Sequence, residues 1–520
     1  MNYQTYHLEE KMKKRIVLIT ALALVIGSMV YAAGQKGSSQ AQAGSKTTEL
    51  SMFVNFSWYP TDSWTGIIPE EITRRTGVHI NVTRAVDGQQ LGLMLASGDL
   101  PDLVYTDVLL ERLADESVSY AYNKLIQQYT PDWKVDNMLV ANARLHNQSG
   151  DNNFYFIKNN FNTPQEFKEK AHGLQLATLI TRGDIQDVLG NPPLNTLNDW
   201  SNLMATVKAK YPNLIPFTFA NWGTQPFKIA HGVPDTDFGE ENGKAFYHIN
   251  SPYYKDYLIY MNQFYRKGYM LADNYSLSAT DAEALFYNGQ TFSKSGASGF
   301  EPYTSGVQAQ RVDPKAYSNN VLILSPRSKY YRVSTGWAGI AITKKSKNPE
   351  AAIKFMQFMW TMEGARLANW GREGIEWTMG SNNMPVFSKE WNDAYADTPV
   401  FDKKYNGNWY FSADAITEFD GRAAALPPEY LESYQKMMPY AYICPWLGAA
   451  MPQSGSAERD IFNKLIDMVK STETKCILAE NDTEFNRYYN ELMSNAKTIG
   501  VDKLEVYVNA QLPKYRAMYQ

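Results

Sequence analysis

The chain has few cysteines, no excess of positive charge and, beyond its first 30 residues, no long apolar run. Only two of its 520 residues are Cys, so no disulfide framework defines the fold. A formal net charge of −4 at pH 7 gives no electrostatic footprint for nucleic acid. No apolar run after Val30 approaches the length needed to cross a bilayer. The composition indicates a large globular chain with room for two domains.

Sequence signatures of catalysis are also missing. The hydrolase pattern G-x-S-x-G is absent, and Gly243-Lys244 lacks the rest of a phosphate-binding loop. None of the six His residues lies four positions from another, which excludes a helical zinc pair. Paired carboxylates for glycoside chemistry stay open, because such pairs form in space and not in sequence. We expect no catalytic residue, no metal site and no cofactor.

Aromatic residues are the feature in excess. The chain contains 12 Trp, 35 Tyr and 23 Phe residues, which together make 13% of it. The apolar C–H faces of sugars stack well on indole and phenol rings, so this excess favours carbohydrate binding. Large α/β domains also use aromatic residues as core, and we expect both uses here.

The N-terminus has the pattern of an export signal. Lys11 to Arg15 supply a basic cluster, and an apolar run from Ile16 to Val30 has the length of a signal-peptide core. Small residues at Val30 and Ala32 predict cleavage before Ala33; an uncleaved anchor is the alternative. Residues 1–32 are thus predicted to be a signal peptide and 33–47 a flexible linker, with Met12 as a second candidate start.

The first elements after the linker predict a doubly wound α/β sheet. Alternating strands and helices are expected in the order βαβαβ, and their bounds are 50–55, 67–76, 78–82, 89–97 and 103–105. Gly98 suits the left-handed stop of a helix, and Pro101 extends the chain before the short apolar strand. Thr106 and Asp107 then follow the strand, at the edge where open α/β sheets place their ligands.

Later segments continue the pattern. Thr196 with Asp199 predicts a capped helix, Asn242-Gly243 predicts a hairpin turn, and Asn348-Pro349 predicts another helix start. Further elements are expected at strands 154–157, 178–181 and 336–343 and at helices 184–189, 251–265, 363–371, 482–500 and 501–507.

The helix–Gly-Asp-x-Pro-Asp–strand segment at 96–105 resembles the family 1 extracellular solute-binding proteins, the capture subunits of ABC sugar importers. The blocks at 336–376 and 482–510 resemble the same family, in its larger, lipoprotein-like subgroup. Two departures stand out. No Cys lies near the cleavage site, which argues against a lipid anchor, and Gly183 and Ile185 replace residues that are usually Lys and Trp.

The resemblance implies a two-lobed fold of the periplasmic binding-protein kind, type II-like, with discontinuous lobes, a hinge and a cleft between the lobes. The first lobe is expected from residues 48–157 and 336–376. The second lobe is expected from residues 158–335 and 377–520 and includes the C-terminal helices. The strand at 154–157 would cross between the lobes as the first hinge.

The resemblance also implies a function. It predicts a monomeric, exported protein, periplasmic or attached to the cell surface, that captures an oligosaccharide and delivers it to membrane permease subunits. An exported carbohydrate-active enzyme is one alternative, and a binding protein that presents its ligand to a membrane receptor is another. No covalent chemistry is needed for capture.

Ligand contacts are expected in loops that follow strands and beside lobe crossings. Each has a structural alternative. The Trp and Tyr residues after the first strand could pack on the 67–76 helix, and Asp107 could cap the chain from Val108 onward. Trp337 and Trp370 could be buried in a core, and Arg372 and Glu373 could form an ion pair. Trp200 and Trp360 are expected in cores instead. The candidates are Trp58, Tyr59, Trp64, Thr106, Asp107, Trp222, Trp337, Trp370, Arg372, Glu373 and Trp409.

Two further expectations concern a metal and a disulfide. Longer members of the family often carry a calcium loop, but the corresponding residues 208–216 supply almost no oxygen side chains, whereas calcium takes six or more oxygen ligands. We expect the calcium site to be absent. The exported location permits a Cys444–Cys476 disulfide, although nothing in the spacing requires one.

Overall fold

The computed structural model of the chain describes residues 47–220, 223–333, 336–407, 409–412, 414–453 and 455–519. The predicted signal peptide, nearly all of the predicted linker and Trp222 lie outside the described residues, so those predictions stay as they are.

The described residues form 14 strands, most of them short. In chain order they are β1 Thr48–Val54, β2 Val78–Arg84, β3 Leu103–Thr106, β4 Ala177–Arg182, β5 Ile215–Thr218, β6 Phe238–Glu241, β7 Lys244–Tyr247, β8 Thr291–Ala297, β9 Ser318–Val321, β10 Tyr330–Arg332, β11 Gly339–Ile342, β12 Trp377–Met379, β13 Pro385–Phe387 and β14 Ala441–Ile443.

The α-helices of the described residues surround these strands. They span Ile67–Thr76, Gln90–Ser97, Leu110–Leu113, Tyr122–Tyr129, Asn137–Arg144, Pro164–Lys170, Gly183–Val188, Leu197–Lys210, Gln225–His231, Tyr254–Arg266, Ala279–Tyr287, Phe300–Ala309, Pro349–Met359, Met362–Trp370, Lys389–Tyr395, Thr398–Lys404, Ala415–Ala424, Pro428–Gln435, Pro445–Ala449, Ala457–Ile477, Asp482–Ile499 and Val501–Tyr519.

The first sheet has the order β11-β3-β1-β2. Strands β1, β2 and β3 are parallel, as the βαβαβ prediction requires. Strand β11 returns antiparallel to β3, with Gly339 opposite Thr106. The amino end of β11 therefore lies at the same edge as the carboxyl ends of β1 and β3, which brings distant parts of the sequence to one edge.

The second sheet has the order β5-β8-β4-β9. Strand β5 is parallel to β8, whereas β4 is antiparallel to both β8 and β9. Ala177, the first residue of β4, pairs with Ala297, the last residue of β8. One edge of this sheet thus holds the carboxyl ends of β5 and β8, and the opposite edge holds the end of β4 and the start of β9.

Each sheet has its own large hydrophobic core. The first core joins β1, β2, β3 and β11 to helices 67–76, 122–129 and 349–370. The second core joins β5 and β8 to helices 197–210 and 254–266 and to the three C-terminal helices. Trp377, Trp391, Phe401 and Phe411 also pack in the first core, so this core includes residues beyond 376, the expected end of the first lobe's second segment.

The chain crosses between the two sheets beside paired backbone segments. Lys158 forms an isolated antiparallel bridge with Gly339, and the Asn159 N–H donates to the Ala338 carbonyl at 2.9 Å. The predicted strand at 154–157 does not form. Its Phe154 carbonyl accepts from the Tyr122 N–H at 2.7 Å, which begins a helix instead of extending a sheet.

Local sequence signals fixed most element ends. Gly77 and Gly98 stop their helices with φ values of 69° and 71°, a region that glycine enters without steric cost. Thr196 and Asp199 form the predicted reciprocal cap, and Asn242-Gly243 turns between β6 and β7. Asn348 precedes its helix but makes no side-chain cap bond.

The two cysteines are not bonded to each other. Cys444 and Cys476 are both free and buried, and both pack in the second core. Burial raises the pKa of the Cys476 thiol to about 12, so this thiol stays protonated and unreactive at neutral pH. Of the two alternatives left open by the sequence, the structure shows the one without a disulfide.

Asp235 should make the stability of the protein depend on pH between 4 and 7. Its backbone-bonded carboxyl accepts from the Tyr331 N–H at 3.1 Å, at the start of β10, and burial raises its pKa from 3.8 to about 7. Between those values the unfolded state binds fewer protons than the folded state, so stability present at low pH is lost as pH rises. The loss should be on the order of 2 kcal/mol.

The Asp235→Asn variant tests this effect, because an amide keeps the acceptor and does not ionise. The melting temperature of the variant minus that of the parent chain should increase from pH 4.5 to pH 7.5. Thermal unfolding in matched buffers measures this difference. A constant difference over that range would show that Asp235 titrates normally.

Candidate functional site

An aromatic platform lies at the carboxyl edge of the first sheet. It consists of Phe56 and Trp58 after β1 and Trp337 just before β11. The Trp58 and Trp337 rings are stacked at 5.7 Å, and Phe56 lies 4.8 Å from Trp337. Trp58 is 58% exposed, and Trp337 is half-buried. The platform therefore offers indole surface to a ligand.

Asp107 lies beside the platform and is fixed by it. The indole N–H of Trp337 donates to Asp107 Oδ2 at 3.1 Å, which orients the carboxylate next to the exposed rings. Asp107 is itself exposed, so its second oxygen can accept from ligand hydroxyls. Sequence positions 58, 107 and 337, predicted separately, thus meet at one edge.

Thr106 does not share this position. It is fully buried, and its hydroxyl accepts from Asn55 Nδ2 at 3.0 Å and bonds to the backbone of Val108. These bonds hold the loop that presents Asp107. Thr106 supports the site from behind.

Three predicted contacts lie beneath the platform in the first core. Tyr59, Trp64 and Trp409 are 1%, 3% and 0% exposed. Trp64 donates to Thr73 Oγ1 at 3.0 Å, on the 67–76 helix that was its structural alternative, and Trp409 donates to the Asn406 carbonyl at 2.8 Å. The Trp64 and Trp409 rings are 4.6 Å apart. Close packing within the first core surrounds these rings in the structure.

The last three predicted contacts belong to another part of the first lobe. Trp370 is buried and donates to the Thr417 carbonyl at 2.9 Å. Arg372 pairs with Glu376 at 2.7 Å and not with Glu373, which is exposed, so the expected ion pair has a different acid. Arg372 and Glu373 line a 430 Å³ cavity with Arg75, at the end of the 67–76 helix where β2 begins. That is the edge opposite the platform.

A partly buried polar chain near the platform was not predicted from the sequence. Lys158 Nζ lies 3.2 Å from His146 Nε2, and His146 Nδ1 lies 3.1 Å from Glu111. Burial lowers the pKa of Lys158 to about 8, against the attraction of Glu111 and Asp107. Its neighbour Asn159 donates to the Tyr105 hydroxyl at 3.2 Å and receives the Ala338 N–H at 2.9 Å. The polar run from Lys158 to Asn160 within an otherwise apolar stretch is the signal that could have identified it.

The second lobe presents a loop after β5, in the position equivalent to the platform's loops. The Ala220 N–H donates to Ser295 Oγ at 3.0 Å, and Tyr257 donates to Thr224 Oγ1 at 2.9 Å. Phe219 packs edge-on against Tyr275 at 5.2 Å. Both ends of the loop are anchored to the second core, and Trp222 lies between them in the sequence.

The helix and turn at 208–216 carry no calcium-like ligand set. Lys208 there donates to the Lys267 carbonyl at 2.6 Å, and the turn leads directly into β5. Across the described part of the chain, no group of three or more His, Cys, Asp or Glu side chains could hold a metal ion.

Chelator should therefore leave the protein unchanged. We expect the same melting temperature with and without excess EDTA, because no bound cation would be lost from the folded state. Differential scanning fluorimetry measures this, with calcium added back as the control. A fall in melting temperature that calcium alone reverses would contradict the prediction.

Comparisons with known proteins give one family and one fold. A family model described as bacterial extracellular solute-binding protein matches residues 57–366. The alginate-binding protein AlgQ2, solved without calcium ion, aligns with a TM-score of 0.66 at 19% identity over 90% of this chain and 99% of its own. No curated protein shows significant sequence similarity to the chain.

Two further solved structures align over the same share of this chain. A solute-binding protein associated with an HMO-binding ABC transporter of Bifidobacterium longum infantis gives a TM-score of 0.60 at 13% identity, covering 90% and 99% of the two chains. The N-glycan transport protein NgtS of Streptococcus pneumoniae gives 0.59 at 14% identity, with the same coverages. At such identities the likeness shows the fold, which is two-lobed α/β as expected. Among the described helices, none combines the length and apolar character of a membrane span.

Proposed function

Because this chain belongs to the bacterial extracellular solute-binding proteins, we propose that it captures an oligosaccharide between its lobes and delivers it to an ABC permease. The observation that carries the proposal is the exposed Trp58–Trp337 platform with Asp107 fixed at its side. The family consists of binding proteins, and the proposal requires no covalent step.

The platform has the chemistry that a sugar ring needs. The apolar C–H face of a pyranose stacks on an indole, and such ring contacts contribute about 1 kcal/mol beyond the area they bury. Asp107 can accept hydroxyl protons in charge-assisted hydrogen bonds, which fix the orientation of the ring. Two adjacent indoles present more stacking surface than a single indole does, which favours a chain of sugars over a single sugar.

Closure of the lobes would complete the site. The platform stands on the first lobe beside the crossing at Lys158 and Gly339, so hinge motion would bring the anchored loop after β5 towards it. The second lobe would then supply the opposite wall, and Trp222 is our proposed ring in that wall. Ligand bound between two lobes shifts the equilibrium towards the closed form in proportion to its preference for that form.

Export and delivery are part of the same proposal. The basic and apolar N-terminus is proposed to be a cleaved signal peptide, with the mature protein starting at Ala33 and carrying no lipid. The mature protein would act as a monomer outside the cytoplasmic membrane, where permease subunits bind its closed form.

A thermal-shift screen of the mature chain against neutral and acidic oligosaccharides tests the proposal. A true ligand should raise the melting temperature in a concentration-dependent way, since it binds the folded state alone. Monosaccharides of the same composition serve as the control for chain length, and mass spectrometry after incubation reports turnover. Cleavage of the glycan, or no stabilisation by any glycan, would contradict the proposal.

A further inference from the structure

A second cavity lies in the other lobe, away from the platform. It has a volume of about 390 Å³ and lies between edge strand β9, the 183–188 helix and the 428–435 helix. Ser318, the first residue of β9, pairs with Arg182, the last residue of β4. The cavity therefore lies towards the edge opposite the carboxyl ends of β5 and β8, and we call it the outer cavity.

Tyr317 forms a rigid aromatic wall of the outer cavity. A Cβ at Gly183 would meet the Tyr317 ring at 2.2 Å, so the ring lies directly against the glycine backbone. The hydroxyl of Tyr317 donates to Asp187 at 2.7 Å, which fixes the ring at its far end. Tyr317 also lines the cavity, so this fixed ring forms part of the wall that a ligand would meet.

Amide groups next to Tyr317 are fixed with defined polarity. Gln186 Oε1 accepts from Thr181 Oγ1 at 2.6 Å and from Asn319 Nδ2 at 2.9 Å. These bonds leave the Gln186 amide nitrogen as a donor and Asn319 Oδ1 as an acceptor, with no other partner among the described residues. Asn320, the next residue of β9, points to the opposite face of the strand, where its oxygen accepts from Thr178.

The charge of the lining restricts the ligand. Glu429 is the one charged residue that lines the cavity in the described part of the chain, and no Lys or Arg does so. An anionic group would meet a carboxylate and no cation, which is unfavourable. An aromatic ring, a donor and an acceptor instead suit an uncharged ring with adjacent hydroxyls.

We propose that the outer cavity is a second binding site, which takes one ring of a neutral saccharide on the outer face of the second lobe. The Tyr317 ring would stack on the sugar, and Gln186 and Asn319 would bond its hydroxyls. The site does not depend on the platform, so the two can be tested separately.

Saturation-transfer NMR with neutral methyl glycosides at millimolar concentration tests the site, in a chain that carries Trp58→Ala and Trp337→Ala to weaken the platform. Sugar signals should persist in this background, and methyl galacturonate should give none. Adding Gln186→Glu removes the free donor but keeps the acceptor that Thr181 and Asn319 need, and should weaken binding at least tenfold. Adding Tyr317→Leu should do the same.

Tyr317→Phe is the matched control, because it keeps the ring and loses only the bond to Asp187. It should bind within about threefold of the background chain. The proposal is overturned if no neutral glycoside gives a signal, or if Gln186→Glu and Tyr317→Leu leave the signals unchanged. Either result leaves platform binding in the parent chain untouched, so failure of the outer cavity is distinguishable from failure of the proposed function.

Discussion

Replacement of Trp58 by alanine should weaken oligosaccharide binding tenfold or more. One decade of affinity corresponds to about 1.4 kcal/mol, which is the order of a single ring stacked on sugar with its buried area. The free energy of unfolding should change by less than about 1 kcal/mol, because the side chain is 58% exposed in the structure. Isothermal titration calorimetry and urea unfolding on the same variant measure both quantities.

Two variants serve as controls for that result. Trp58→Phe keeps a ring at the same position and should recover most of the affinity. Trp337→Phe keeps a ring but loses the bond to Asp107, so it should bind less well than Trp58→Phe. Unchanged affinity in Trp58→Ala would remove the platform from the binding site.

Replacement of Trp409 by alanine should act on stability instead. Trp409 is fully buried, lies 4.6 Å from Trp64 and 5.8 Å from Tyr59, and donates to the Asn406 carbonyl. Removing such a side chain leaves a cavity and an unpaired carbonyl, and costs about 3–5 kcal/mol of unfolding free energy. Thermal and urea unfolding should both show the loss.

Trp58→Ala is the matched comparison for Trp409→Ala, since both remove an indole from the first lobe. Affinity measured well below the melting temperature should fall far less in Trp409→Ala than in Trp58→Ala. A Trp409→Ala chain of normal stability that no longer binds glycan would place Trp409 in the binding site after all.

The sequence predicted the elements that local chemistry determines. Gly98 and Pro101 separate a helix from β3, and the strand register then places Asp107 at the sheet edge. The position of Trp337 followed from the expected return of a strand to the first lobe, which β11 makes antiparallel to β3. These steps need only a few neighbouring residues and the general topology of open α/β sheets.

Long-range packing could not be predicted from the sequence. Nothing in the pattern of Trp391, Phe401 or Trp409 shows which of two cores they join, because an apolar residue suits either. By their positions in the sequence, Trp58 and Trp64 are equally good candidates for the cleft. Only the placement of the 67–76 helix, which holds Trp64 in the core, distinguishes them. Arg372 is followed by Glu373 at the next position and by Glu376 four positions on. The four-residue spacing is the one that helical ion pairs use, and Arg372 pairs with Glu376.

The outer cavity illustrates the same limit. Gly183 departs from the family pattern, but the sequence does not show that Tyr317, far along the chain, packs against it. Such a contact requires β4 and β9 to be neighbours, which is a property of the sheet order.

Hydrogen–deuterium exchange with and without a stabilising oligosaccharide tests the central claim most directly. The account predicts slower exchange on binding at residues 56–59, 105–109 and 336–339, together with the loop after β5, because closure buries those amides. Protection confined to residues 315–322 and 428–434, or none in the three first-lobe segments, would contradict capture between the lobes.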